Sequence, residues 1–152
     1  MTLLLSLLIG VFAGLRSLTA PAVVAWAVKW GWLKLTGPLS LIGSLPSVVL
    51  LTLLAVFELV ADKLPKTPNR TAPVGLVARL LTGGVSGACI TAAVGQGVVA
   101  GALLGAAGAA IGCFGGYQLR KRLVAALGTK DIYVAMVEDL IAIAGCVWIV
   151  SR

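Results

Sequence analysis

Long apolar stretches, separated by short polar or glycine- and proline-rich breaks, run from one end of the chain to the other. The first, Leu3 to Val28, is interrupted by Arg16 and Pro21. At about 1.5 Å per residue it is long enough to cross a bilayer once with tilt. Pro21 removes a helix hydrogen bond, and Arg16, Ser17 and Thr19 lie within about a turn of it, so a kinked or broken first helix is expected. Lys29, Trp30, Trp32 and Lys34 follow, the mixture of aromatic and cationic residues expected at a membrane interface. Thr36 to Pro46 reads as a loop or a short interfacial piece. A second span is expected from about Ser47 to Ala61. The loop from Asp62 to Pro73 is the most polar stretch of the chain. A third span runs from about Val74 to Val94 and a fourth from Val98 to Gln118. The turn between them, Gly95-Gln96-Gly97, is too short for anything but a helical hairpin. Past Arg120-Lys121-Arg122 and a linker from Leu123 to Lys130, a fifth span, Ile132 to Val150, completes the pattern.

Composition fits this pattern. Of 152 residues 60% are hydrophobic and 11% charged, with a mean hydropathy of +1.09. A soluble domain carries about a quarter of its residues as charges. The expected fold class is therefore all-α: one polytopic membrane domain over residues 1–152, with about five transmembrane helices. The amino terminus resembles a signal-peptide core. No Lys or Arg precedes it, however, and the apolar character resumes after Arg16, which favours a retained span.

The net charge of +7 is not a nucleic-acid signal, because the basic residues sit mostly between apolar segments, where they orient a membrane protein. With no His in the chain, an imidazole metal site or a Ser-His hydrolase is excluded, and no cofactor is expected. Cys89, Cys113 and Cys146 read as small buried hydrophobes. Asn69-Arg70-Thr71 has the form of a glycosylation site but lies between prolines on the side read as cytoplasmic.

The hairpin at 95–97 puts the 62–73 and 119–131 loops on one side. These carry Lys63, Lys66, Arg70, Arg120, Lys121, Arg122 and Lys130, and the positive-inside tendency makes that side cytoplasmic. With five spans the amino terminus is cytoplasmic and the carboxyl terminus is not. A multi-pass protein of the inner (plasma) membrane is the expectation.

Charges inside the apolar segments are the candidate chemistry. A carboxylate in hydrocarbon costs roughly 2.5–3.5 kcal/mol on insertion scales. Glu58 lies about one turn before Asp62, Arg79 about five residues into span three, and Glu138-Asp139 about seven into span five. All fall at one depth, roughly 6–10 Å inside the cytoplasmic boundary. Arg16 lies nearer mid-membrane and would cap the cluster, while Asp62 sits nearer the interface. One reading is a polar cavity for a cation, a proton or a charged small solute. The other is a buried ion-pair network that fixes helix packing, with Arg79 paired to Glu138 or Glu58. Two arginines against three acids leave one carboxylate short of a partner, which favours the first. An internal echo runs through the same residues: Arg16-Ser-Leu-Thr19 matches Arg79-Leu-Leu-Thr82, and Ala55-Val-Phe-Glu58 matches Ala135-Met-Val-Glu138. Such an echo would suit a duplicated unit.

Span four carries Gly97, Gly101 and Gly105, then Gly108, Gly112 and Gly116, each set spaced by four. Such spacing gives a groove in which helix backbones approach closely. Gly83, Gly84, Ser86 and Gly87 offer a matching patch on span three. The two spans are expected to pack on each other, and part of the face to serve a homodimer.

Gly14-Leu15-Arg16, then Glu58-Leu-Val-Ala-Asp62-Lys63-Leu-Pro65, Arg70 before span three, and Glu138-Asp139 in the last span occur in this order. Together they resemble a family of small bacterial integral membrane proteins known as a domain of unknown function, marked by GLR, ExxADKxP and late ED elements. The likeness covers nearly the whole chain, although Thr67-Pro-Asn69 replaces an acidic linker. It implies a choice of residues and no activity. The first functional reading is a small transporter or channel-like protein, a homodimer in membrane lipid. The alternative is a non-transporting module that binds lipid head groups or a partner protein through its basic loops. An intramembrane enzyme ranks last, since no nucleophile or metal-ligand set is visible.

Overall fold

The computed structural model describes residues 1–62, 72–128 and 130–152. Lys63, Pro65, Lys66, Thr67, Asn69 and Arg70 of the polar loop lie outside them. Six α-helices follow one another: α1 (Thr2–Leu15), α2 (Thr19–Lys29), α3 (Leu45–Ala61), α4 (Pro73–Ala93), α5 (Val98–Leu127) and α6 (Asp131–Val150). A 3-10 segment, Gly37–Gly43, precedes α3. The protein is a multi-pass α-helical membrane protein. By length and composition α4, α5 and α6 can each cross a bilayer, and the 3-10 segment with α3, bent by 59°, can make a fourth crossing if the two act as one span.

Among the described residues there are three candidate spans, or four with the bent pair, and not the expected five. Arg16 leaves the helix in an extended conformation (φ −138°, ψ 109°), and α2 begins three residues later. Pro21 explains the restart. It sits in the first turn of α2, where its missing N–H is not needed, whereas a continuous helix would lose a bond there and clash. At about 1.5 Å per residue, α1 spans roughly 21 Å and α2 roughly 16 Å, both short of a hydrocarbon core of about 30 Å.

Direction follows from contacts. A Cβ placed on Gly10 would meet Gly105, and one on Gly14 would meet Ala109 and Cys113, so α1 and α5 run the same way. Gly87 abuts Gly101 and Gly83 abuts Gly105, so α4 runs against α5. After α2 the chain reaches Trp32, Leu33 and Lys34, which line a cleft with Ala93 and Val94 at the end of α4 and Val150, Ser151 and Arg152 at the end of α6. Hence α1 descends from the face that holds the Gly95–Gly97 turn, reverses at residues 16–18, and α2 climbs back. Residues 3–28 form a re-entrant hairpin. One crossing fewer moves the amino terminus: it lies on the turn face beside the carboxyl terminus, opposite the face of Asp62 and Lys130, and not with the basic loops as a five-span chain requires. Nor does the echo map onto a repeated unit. Trp26 Nε1 donates to Thr52 Oγ1 (3.0 Å), and the start of α2 meets Glu58, so α2 and α3 are antiparallel, whereas α4 and α6 run parallel.

The glycine stripes hold the core. Gly101 and Gly105 face α4 at Gly83, Gly87 and Thr91, while Gly108 and Gly112 face α1 at Leu7 and Val11. Gly116, on the same stripe, is buried as well. The Ser6 hydroxyl donates to Gly87 O (3.1 Å), tying α1 to α4. Spans three and four pack as expected, but α1 takes the rest of the face, so the stripe is covered within the chain.

Candidate functional site

Breaking a helix at membrane depth exposes the last carbonyls of α1 and the first N–H groups of α2. In hydrocarbon each such group, left unsatisfied, costs several kcal/mol. Two charged side chains meet them, each of the sign that the helix dipole favours. Arg79 Nε donates to Gly14 O at the carboxyl end of α1 (3.1 Å), and its Nη1 donates to Gly75 O (3.2 Å). Glu58 accepts from the backbone N–H of Ser17 (2.8 Å) and of Leu18 (2.7 Å) at the amino end of α2. Arg79 Nη2 and Glu58 Oε1 are 3.9 Å apart. Arg79 is six residues into α4, which sets the tip of the hairpin roughly 9 Å inside the loop-face end of that helix.

Arg16, with no exposed side-chain surface, joins two further helices. Its Nη1 pairs with Asp62 Oδ2 at the end of α3, and its Nη2 lies 2.5 Å from Asp139 Oδ1 on α6. Asp139 reaches it because it shares the buried face of α6 with Ala135, Ala142 and Cys146. Arg120 closes the cluster. It grips Asp131 with both ends of its fork (Nε to Oδ1 2.7 Å, Nη2 to Oδ2 2.6 Å). Its Nη1 lies 3.4 Å from Glu138 Oε2 and 3.7 Å from Asp62 Oδ2. All five carboxylates of the chain belong to this one network.

All six residues singled out for this site in the sequence, Arg16, Glu58, Asp62, Arg79, Glu138 and Asp139, lie in the network, but several partners differ. Arg79 meets Glu58, one of its two expected partners, while Glu138 meets Arg120. Arg16 does not cap the cluster from a distance; it stands at the centre, and Asp62 is its partner. Counting Arg120 gives Glu138 a partner, but with Asp62 and Asp131 also in the network the acids still outnumber its three arginines by five to three.

Arg120 and Asp131 were missed because span four was ended at Gln118. A signal was present: no Gly or Pro stands between Gly116 and Gly128, so α5 continues to Leu127, where Gly128 caps it in the left-handed conformation (φ 58°). Gly108, Gly112, Gly116 and Arg120 are spaced by four, so Arg120 extends the stripe that packs on α1, just below the point where α1 ends. Chemically, such a network can exchange one cation for another, pass a proton between neighbouring carboxylates, or lock helices in register.

Residues 3–151 match the family described as Domain of unknown function (DUF4126). The chain belongs to this family. The match covers nearly all of the sequence, as the resemblance implied, and brings no activity with it. No curated protein and no solved structure matches the chain.

Proposed function

We propose that this member of the DUF4126 family is a small transporter or channel-like protein whose network at the hairpin tip handles a cation, a proton or a charged small solute. One observation carries the reading: the helix break at residues 16–18, set at membrane depth and met by Glu58, Arg79 and Arg16. Irregular backbone at that depth is tolerated only where it is buried in protein or lines a polar cavity, and transporters use broken helices to build such sites. Arg16 Nε and the Thr19 hydroxyl, both buried, have no hydrogen-bond partner among the described residues, so the tip has polar capacity to spare. The loop face, with Lys121, Arg122 and Lys130, is read as cytoplasmic, which puts both termini on the other side.

Proteoliposomes test the proposal, with a pH-sensitive dye inside and proton, Na⁺ or K⁺ gradients imposed. Protein-dependent flux is expected, and Asp139→Asn should lower it at least tenfold while the protein remains folded. Vesicles as tight as protein-free ones to all three ions would overturn the proton and inorganic-cation forms of the reading. The same result would favour the second reading, a module that binds lipid head groups, which the exposed Lys121 and Arg122 beside the network support.

A further inference from the structure

The third helix is attached to the rest of the molecule in an unusual way. Among the described elements, its main packing partners are α2 and the 3-10 segment. Of its side chains only Val48 and Ala55 are buried, while Leu50, Leu53, Val56, Phe57 and Val60 are exposed. One end carries a bend of 59° at Ser44, where the backbone is extended (φ −65°, ψ 148°) and Pro46 stands in the first turn of α3. The other end is held by charge. Glu58 binds the N–H groups of Ser17 and Leu18 and lies near Arg79, while Asp62 pairs with Arg16 and lies 3.7 Å from Arg120. Between the two ends, the side-chain hydrogen bond from Trp26 to Thr52 reaches only as far as α2.

We propose that α3 is a pivoting gate: it hinges at Ser44–Pro46, and the ionic contacts of Glu58 and Asp62 with the hairpin tip form its latch. Physical economy favours this division. Apolar packing fixes an element continuously along its length, whereas a latch of a few charge-assisted contacts holds one end in place and opens when another cation or a proton takes the place of an arginine. Lipid can cover the exposed side chains of α3 in either position, so a swing in the membrane plane costs little burial. Release uncovers Arg16 and the Ser17 and Leu18 N–H groups, the part of the molecule on which the transport reading rests. The inference depends on that reading for its purpose only, because the movement itself is measurable without a substrate.

Spin labels at exposed positions test it in the full chain, where the native cysteines are buried. One pair, Phe57→Cys with Val137→Cys, spans the latched end; a second, Val49→Cys with Val147→Cys, spans the hinged end. Already in the otherwise unaltered protein, the latched-end distance distribution should be the broader of the two. Asp62→Asn should widen it about twofold and leave the hinged-end pair unchanged. Glu58→Gln, which keeps an acceptor for one N–H, should widen it less. Equal, narrow distributions in all forms would show that packing alone fixes α3 and would overturn the gate. Equal widening of both pairs would overturn it too, since the whole helix would then be displaced. If vesicles prove tight while the latched end still widens as expected, the gate stands and the proton and inorganic-cation forms of the transport reading fall.

Discussion

The core of α1, α4 and α5 and the charged tip of the α1–α2 hairpin lie within a few ångströms of each other, yet they are built on opposite rules. In the core, glycine lets backbones touch, no charge is present, and each contact tolerates almost no added volume. At the tip, long side chains reach across gaps between four helices, and the contacts are ionic and directional. Association of apolar helices in lipid gains little from the hydrophobic effect, so close van der Waals packing must supply it. The backbone groups freed by the break need charged partners instead. The glycine core therefore gives a rigid frame, and the charges on it can be rearranged one at a time.

The sharpest way to break this contrast is to add volume. A Cβ at Gly112 would run into the Val11 carbonyl, and one at Gly105 into that of Gly83, both backbone atoms that cannot step aside. Gly112→Leu should cost about 3 kcal/mol or more and abolish the folded protein's peak on size-exclusion chromatography in detergent. Gly115 is the control, because its Cβ would meet nothing within 4 Å. Gly115→Leu should melt within about 1 kcal/mol of the parent, helped by leucine's better helix propensity. Similar melting of the two variants would mean that the stripe is not what holds α1.

How much of this was legible in the sequence differs between the two regions. The glycine periodicity of span four announced a close-packed face, since spacing by four is a property of one helix and needs no knowledge of its neighbours. That α1 would occupy half of that face was not visible, because Gly10 and Gly14 in a short apolar segment carry no sign of their partner. The charged residues also announced themselves, through the cost of burial. Of their pairings only that of Arg79 with Glu58 was among those expected; the rest depends on the reversal at Arg16–Leu18. Pro21 and Arg16 marked the break correctly, but a broken span and a re-entrant hairpin share one local pattern. What separates them is the direction of α2, which is set by tertiary contacts at Trp26 and at Trp32–Lys34. A difference of one crossing then changes which helix ends the amino terminus shares a face with.

At the tip the expected effects are of similar size at the centre, smaller at the rim, and depend on which partner is removed. Arg16→Met leaves Asp62 and Asp139 without their central cation and should cost roughly 3–5 kcal/mol, as breaking a buried pair does. Arg16→Met with Asp139→Leu should recover a large part of that loss, with a coupling energy of about 1–3 kcal/mol in a double-mutant cycle. The same cycle separates the partners proposed for Arg79: it should couple to Glu58 and be near-additive with Glu138. The reverse would mean that Arg79 pairs with Glu138, the other partner the sequence allowed.

The mildest expected change lies at the rim of the network, and it sharpens the comparison because its partner is wet. Asp131 is 61% exposed at the side chain, although Arg120 holds it with two short hydrogen bonds. Surface pairs contribute about 0.2–1 kcal/mol, since water and salt screen them and two side chains must be fixed. Asp131 also occupies the first turn of α6, where a negative charge suits the helix dipole by a few tenths of a kcal/mol. Asp131→Asn should therefore lower stability by about 1 kcal/mol or less, and the difference from the parent should shrink as salt is raised. Glu138→Gln removes a partner whose side chain is only 10% exposed, on the buried side of the same arginine, and its effect should be larger and nearly independent of salt. Melting both variants across a range of salt concentrations decides the matter. If the two respond to salt alike, Arg120 lies in one uniform environment, and the boundary drawn here between the dry tip and its wet rim has to move.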